Sequence, residues 1–302
     1  MTGTVKTILV ATDLSRPAFA AVRRAALVAR DHDATLDLLH VIPDSFGSAV
    51  WNEMRAVLAP ADQDVRRSID DGVATLVRQI ETETGVRANA SVSEGKPYAA
   101  ITARSEAIDA DLVVVGAHGE NLLTPLLGTT AHRVLRLSRR PVLLVKQTPA
   151  VEHGATSAYE HMVIATDFSA DSAYAARSAR RLFRKTIATL FHAFQVPFEA
   201  KLTRTVSEEA LERSRWIAAQ RAHSELTAFA EAGMSDARRM IRHGPPALRV
   251  REYAKEVGAD LIVTGSEEIP RVQAALLGSV SLDLVTEAKC DVLLARTPVA
   301  AP

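Results

Sequence analysis

With one cysteine, Cys290, the chain cannot close an internal disulfide, which excludes a disulfide-stapled secreted scaffold and fits a reducing compartment. Cys290 directly precedes an apolar strand and reads as a buried structural residue. No charge of one sign dominates: Lys+Arg 36 stand against Asp+Glu 36, so there is no field directed at nucleic acid or membrane, and small-molecule or protein partners are expected. The pairs Arg23–Arg24, Arg139–Arg140 and Arg180–Arg181 have no aromatic residues interleaved and read as solvated helix surface. Apolar runs are short. None approaches the ~20 residues of a membrane span, and MTGTVKTILVATD is too brief for a signal peptide, so a cytoplasmic protein is expected. Motifs of hydrolytic, metalloprotease, dithiol and Walker-type chemistry (GxSxG, HExxH, CxxC, GxxxxGK[ST]) are absent. The expectation is a binding protein and not an enzyme.

What the chain does have is alternation. ILVATDLS, from Ile8, reads as a strand ending in a polar turn, after which Phe19, Val22, Ala26 and Ala29 recur at helical spacing behind an N-cap at Ser15. ATLDLLHVI is a second strand closed by Pro43. Pro60 predicts a break in any helix there, and Asp62 to Glu83 reads as a long amphipathic helix. A strand from Val86 to Val92, a helix over Tyr98–Ala107, the strand Leu112–Val115, a helix over Ala131–Leu137 and a last strand Val142–Lys146 complete the order. Such β-α alternation predicts a parallel, doubly wound sheet with helices on both faces.

The order then recurs. ILVATDLS returns as MVIATDFS after 154 residues, LLH ending at His40 as LFH ending at His192 after 152, and DLVVVG as DLIVTG after 149. Such self-similarity predicts two copies of one domain. A first domain is expected over residues 1–149, a linker over 150–159 and a second domain over 160–302.

The stretch Gly116–Thr130, GAHGENLLTPLLGTT, follows a buried strand at the end where an open α/β sheet binds ligands. Gly116, Gly119 and Gly128 let anionic oxygens approach main-chain amides, while Thr129 and Thr130 add hydroxyls at a helix start. The cradle reads as a phosphate site. The same glycines also serve as plain turn residues. Asp13 and Asp167 stand at the ends of the two first strands, either contacting a ligand or capping the turn. His118 places an imidazole where it meets a phosphate near neutral pH, or lies in solvent. A metal alternative groups Asp13, His40 and Glu94, with Asp167, His192 and His243 in the second copy.

In that order a strand ending in Asp, an LLHV strand, a GxP turn, GxxG followed by G(S/T), and PVLLV resemble the universal stress protein family, twice over. The resemblance implies a five-stranded parallel sheet of order 3-2-1-4-5 and, in one branch, ATP bound between strands 1 and 4. Asp13 would then lie beside base and ribose, main chain near Val41 beside the adenine, and Gly116, Gly119, Gly128 and Thr129 at the phosphates of ATP or AMP, with Mg²⁺. The ATP-binding pattern places nine residues between GxxG and G(S/T). Here the first copy has eight, and the second carries Glu268 in place of its second glycine, beside Glu267. The second site is therefore expected to be degenerate toward phosphate, with an interaction scaffold or a different ligand, small molecule or metal, as the alternative there. The apolar last strands, VLLVK and VLLAR, predict that the two halves pair as an internal pseudo-dimer, with a homodimer and an unidentified protein partner also open.

Overall fold

A computed structural model of the chain describes residues 4–43, 49–117, 127–146, 158–197, 199, 206–266 and 277–297, with the side chains of 16, 17 and 49–65 excepted. These residues form two compact units, one up to Ala158 and one from Tyr159.

In the first unit the order is β1 (Thr7–Thr12), α1 (Arg16–His32), β2 (Thr35–Pro43), α2 (Ala49–Thr84), β3 (Ala88–Gly95), α3 (Pro97–Ala107), β4 (Leu112–Gly116), α4 (Thr129–Leu137) and β5 (Val142–Val145). The strands lie β3-β2-β1-β4-β5 and all pair in parallel. The second unit repeats this with β6 (His161–Ala165), α5 (Ala170–Leu182), β7 (Ile187–Phe194), α6 (Glu208–Glu231), β8 (Arg238–His243), α7 (Pro246–Glu256), β9 (Leu261–Gly265), α8 (Ser279–Glu287) and β10 (Asp291–Ala295). Its strand order is β8-β7-β6-β9-β10, also parallel. The doubly wound order 3-2-1-4-5 is thus present in both units. No helix among the described residues is long and apolar enough to cross a membrane.

Ile8, Leu9 and Val10 of β1 and Leu112, Val113 and Val114 of β4 are all fully buried. Consecutive burial of this kind requires cover on both faces of the sheet. The cover comes from α1 packed with α2 and from α3 packed with α4. Val22, Ala25, Ala26 and Ala29 form the buried stripe of α1, which ends where Asp33 takes the left-handed conformation, φ 52°, and its amide reaches Ala29 and Arg30 oxygens. The opposite end of each sheet is tied by an aspartate. Asp111 accepts from the amides of Lys6 (2.7 Å) and Thr7, and Asp260 accepts from those of Glu160 (2.8 Å) and His161, so the starts of the first and fourth strands are locked together twice.

Two expectations are corrected. Helix α2 runs without interruption through Pro60. Proline there removes one backbone hydrogen bond, but Leu58, Ala59 and Ala61 around it are strong helix formers and the helix carries on. Arg24 is buried at 2% exposure instead of solvated, and its guanidinium donates to the Ala158 carbonyl. The remaining arginines of those pairs include ion-paired ones, Arg140 with Asp109 at 2.6 Å and Arg180 with Asp236. Trp216 is 63% exposed on α6, and Trp51 has its side chain outside the described residues. Cys290 is buried, as its position beside an apolar strand predicts.

The units differ in one interior feature. In the first, Asp37 on β2 is 4% exposed and takes a forked pair from Arg104 on α3, Nε at 3.1 Å and a terminal nitrogen at 2.6 Å. Applying the repeat offsets, Thr189 and Tyr253 stand at these places in the second unit. Thr189 bonds His161 Nε2 at 2.9 Å, and the Tyr253 ring packs on Phe191 with centroids 5.1 Å apart. Removing Asp37 leaves a half-buried guanidinium without its partner. Asp37→Ala should therefore cost the first unit about 2–3 kcal/mol. Amide hydrogen exchange reads this by unit: Leu36 and Leu38 should exchange faster while Leu190 keeps its protection, and unchanged exchange at Leu36 would show the pair to be neutral.

Candidate functional site

In both units the chain leaves its first strand through the same turn. Thr12 Oγ1 accepts the Leu14 amide at 3.0 Å, and Asp13 Oδ1 accepts the Ser15 amide at 3.0 Å together with the Ser15 hydroxyl. In the second unit Thr166 Oγ1 accepts from Phe168, and Asp167 Oδ1 accepts from the Ser169 amide (3.0 Å) and hydroxyl (2.6 Å). Between them Leu14 and Phe168 are held at φ 63° and 67°, a left-handed conformation that a bulky residue adopts only under constraint. The serine then caps the helix: Ser15 Oγ accepts from Ala18 and Ser169 Oγ from Ser172. Asp13 and Asp167 accordingly shape the turn, and both stay exposed at the carboxyl edge of the sheet.

A histidine ties the second strand to the same turn. His40 lies opposite Thr12 in register, and its Nδ1–H donates to the Thr12 carbonyl at 2.9 Å; His192 Nδ1–H donates to the Thr166 carbonyl at 2.8 Å. The His192 ring also stacks on Phe168, centroids 4.3 Å apart. Val41, one residue on from His40, is buried at the end of β2.

Opposite lies the end of the fourth strand. In the first unit Gly116 ends β4, Ala117 is buried, and the Gly128 amide donates to the Ala117 carbonyl at 2.9 Å. That bond brings the two ends of the loop together. Gly128 is the N-cap of α4 and supplies no side-chain cap, so the first amides of the helix, at Thr129 and Thr130, have no capping side chain. His118 and Gly119 lie outside the described residues, as do Glu267 and Glu268.

In the second unit the same edge opens into a cavity of about 290 Å³, lined among others by Asp167, Asp171, His192, Phe191, Gly278 and Ser281. A Cβ on Gly265 would lie 2.7 Å from the backbone of Asp171 and Ser172, so this glycine makes room for the first turn of α5; a Cβ on Gly278 would meet nothing within 4 Å. In the second unit the strand-end glycine thus serves helix packing. Hydroxyls absent from the sequence reading surround it: Ser281 Oγ donates to the Gly265 carbonyl at 2.6 Å, and Thr264 Oγ1 does so at 3.1 Å. Asp171, also unforeseen, accepts the Thr297 amide at 2.8 Å. The recurrence of ATDxS in both copies already held Thr12 and Thr166; nothing in the sequence singled out Asp171.

The metal groupings are not assembled. Glu94 pairs with Arg66 at 2.6 Å, and His243 Nε2 bonds Glu199 at 2.7 Å, while Arg215 holds the other Glu199 oxygen at 2.6 Å. No group of three or more His, Cys, Asp or Glu side chains with metal-holding geometry occurs among the described residues.

A doubly wound unit of strand order 3-2-1-4-5 occurring twice defines a tandem α/β protein of the switch-point kind. The model of the universal stress protein family matches residues 4–146 and again 158–296, and the chain belongs to that family. Universal stress protein G of Escherichia coli O157:H7 is 29% identical over 143 residues, 47% of this chain and 99% of that protein. A Staphylococcus aureus USA300 universal stress protein is 27% identical over 150 residues, 46% of this chain and 85% of its own length. The crystal structure of a universal stress protein from Archaeoglobus fulgidus superposes with a TM-score of 0.66 at 18% identity, covering 97% of this chain and 99% of that one. One from Pseudomonas aeruginosa gives 0.60 at 18% identity, covering 98% and 94%. These structures share the fold with this chain.

Two tests follow from the geometry. Gly265→Ala should destabilise the second unit by about 1–3 kcal/mol through its backbone clash, whereas Gly278→Ala should stay within about 0.5 kcal/mol of the parent in urea unfolding. Equal effects would remove the distinction drawn between the two glycines. The second concerns protons. Desolvation pushes the Asp167 carboxyl up, but the bonds donated by Ser169, from hydroxyl and amide, and by Ser172 outweigh it and hold the group below the ordinary aspartate value. A carboxyl lowered in the folded state contributes stability above the unfolded pKa of ~3.9, and that contribution disappears as pH falls through the folded value. Ser169→Ala should therefore raise the Asp167 midpoint in a carboxyl NMR titration and shrink the loss of stability on acidification; an unmoved midpoint would contradict the assigned cause.

Proposed function

We propose that the first unit binds an adenine nucleotide, ATP or AMP with Mg²⁺, in the crevice between β1 and β4, and that the protein acts as a nucleotide-responsive stress regulator and not as an enzyme. The observation that carries this reading is the Gly128–Ala117 bond, which sets an uncapped helix N-terminus beside the end of β4. Helix amides without a capping side chain, with the partial positive charge of the helix, suit phosphate oxygens. Thr129 and Thr130 add hydroxyls on the first turn of α4, Gly116 ends β4, and Asp13 stands exposed just beyond the end of β1. In the sequence His118 and Gly119 lie between Gly116 and Gly128, where the resemblance assigns Gly119 to the phosphates. When bound, the nucleotide would supply the charge and shape that a partner reads. This chain's own part is to hold it: the amides at its phosphates, Asp13 at its sugar.

Replacing Gly119 with Glu imitates Glu268 of the second copy and introduces a carboxylate beside the phosphates. Gly119→Glu should weaken Mg·ATP binding at least tenfold in calorimetry, a loss of ~1.4 kcal/mol or more. Native mass spectrometry of freshly purified protein showing no nucleotide, together with no heat from Mg·ATP at millimolar concentration, would overturn the reading.

A further inference from the structure

The outermost strand of the second unit is open along one side. Among the described residues β8 pairs with β7 and with no other strand, so it ends the sheet. Gly244, just past its end, donates its amide to the Phe194 carbonyl on β7 at 3.0 Å. With the two-residue alternation of a strand, the main-chain groups of Arg242 and Met240 face β7 in the same way, and those of Arg239 and Ile241 point outward. A row of amides and carbonyls left in this state is a template for one more strand.

This edge is basic. Arg238 and Arg239 are exposed, and neither makes an ion pair with another described residue, whereas Arg242 is matched by Glu256 at 2.7 Å. Arg180, near the end of α5, pairs with Asp236, two residues ahead of Arg238. That contact neutralises Asp236 and brings the end of α5, with exposed Arg184 and Lys185 just beyond it, to the start of the strand. By the repeat offsets the first unit has Asn89 and Ala90 at the places of Arg238 and Arg239 and Asp31 at that of Lys185. In a chain with 36 basic and 36 acidic residues, the positive charge is thus gathered at one edge of one unit. Half-buried Met240 and Ile241, and Ile187 exposed at 51% where β7 begins, add apolar contacts.

The charge selects the occupant. Setting β8 against β8 of a second copy would bring arginine against arginine, which opposes self-pairing. Nucleic acid would find the cations but no aromatic residue on β8 for a base to stack on. An acidic chain in extended conformation meets both features, the outward main-chain groups and the guanidinium groups beside them. We propose that the outer edge of β8 receives an extended acidic segment of a partner protein as an added strand, bonded through the main chain at Arg239 and Ile241 and held by the charges of Arg238 and Arg239.

A short peptide alternating Glu and Val, titrated into the full chain by calorimetry and followed by amide hydrogen exchange, tests this. The peptide should bind at low salt, and exchange should slow at Arg239 and Ile241 while Leu36 and Leu38 of the first unit stay unchanged. The double variant Arg238→Glu, Arg239→Glu should bind it more weakly by about tenfold or more. Arg239→Ala keeps the outward amide and Arg239→Pro removes it, so the proline variant should bind more weakly than the alanine one by about threefold. Should the proline variant lose its cooperative thermal transition, the exchange pattern decides. No heat at millimolar peptide, unchanged affinity in the double variant, or binding without slowed exchange at Arg239 and Ile241 would each overturn the proposal. Equal protection of those two amides by a peptide alternating Lys and Val, or by a single-stranded oligonucleotide, would do the same.

Discussion

The carboxyl edge of each unit depends on how the chain leaves its first strand. A threonine hydroxyl and an aspartate carboxylate take the next amides, force one bulky residue into the left-handed region and deliver a serine to the helix as its cap. The carbonyl of the same threonine receives the histidine at the end of the second strand. Three elements thus meet at one tetrapeptide. Losing the aspartate would release the turn, the helix start and the edge of the crevice together, because an unpaired amide at a buried helix start costs about as much as the hydrogen bond it replaced.

This arrangement explains how an exposed side chain at the strand end serves the structure. Asp13 and Asp167 each spend oxygen lone pairs on the turn, yet both stay open to solvent where a doubly wound sheet presents its ligand. Capping and ligand contact are therefore compatible roles for one carboxylate. The glycines divide instead. Gly265 yields its missing side chain to the backbone of α5, while Gly278 faces open space at the start of α8, and only the latter leaves amides for a guest.

Much of this was legible in the sequence because it is local or repeated. Ser15 announced itself as a cap by its place before the helical spacing, and ATDxS returning after 154 residues showed that the turn belongs to a duplicated frame. Fold class and strand order followed from alternation and resemblance. Pro60 misled because a local propensity yielded to the helix around it. Asp37 and Arg104 went unread because 67 residues separate them, and only the register of β2 against the helix above it brings them together. Arg24 misled for the same reason: its acceptor, Ala158, is 134 residues away. The role of Gly265 depends on a backbone crossing that spacing does not encode.

Duplication fixed the backbone and left the interior free to diverge. In the first unit a carboxylate inside the sheet is matched by a guanidinium from the helix, so charge is carried and neutralised within the fold. In the second, the same two places hold Thr189 and Tyr253, and Tyr253 packs on Phe191, a residue that also lines the cavity. Arg242 lies over the far side of that ring, 5.3 Å from its centroid, and turns its charge to Glu256 at 2.7 Å. An apolar floor is thus continuous with the aromatic packing beneath it, and the unit's free carboxylates stand at the rim.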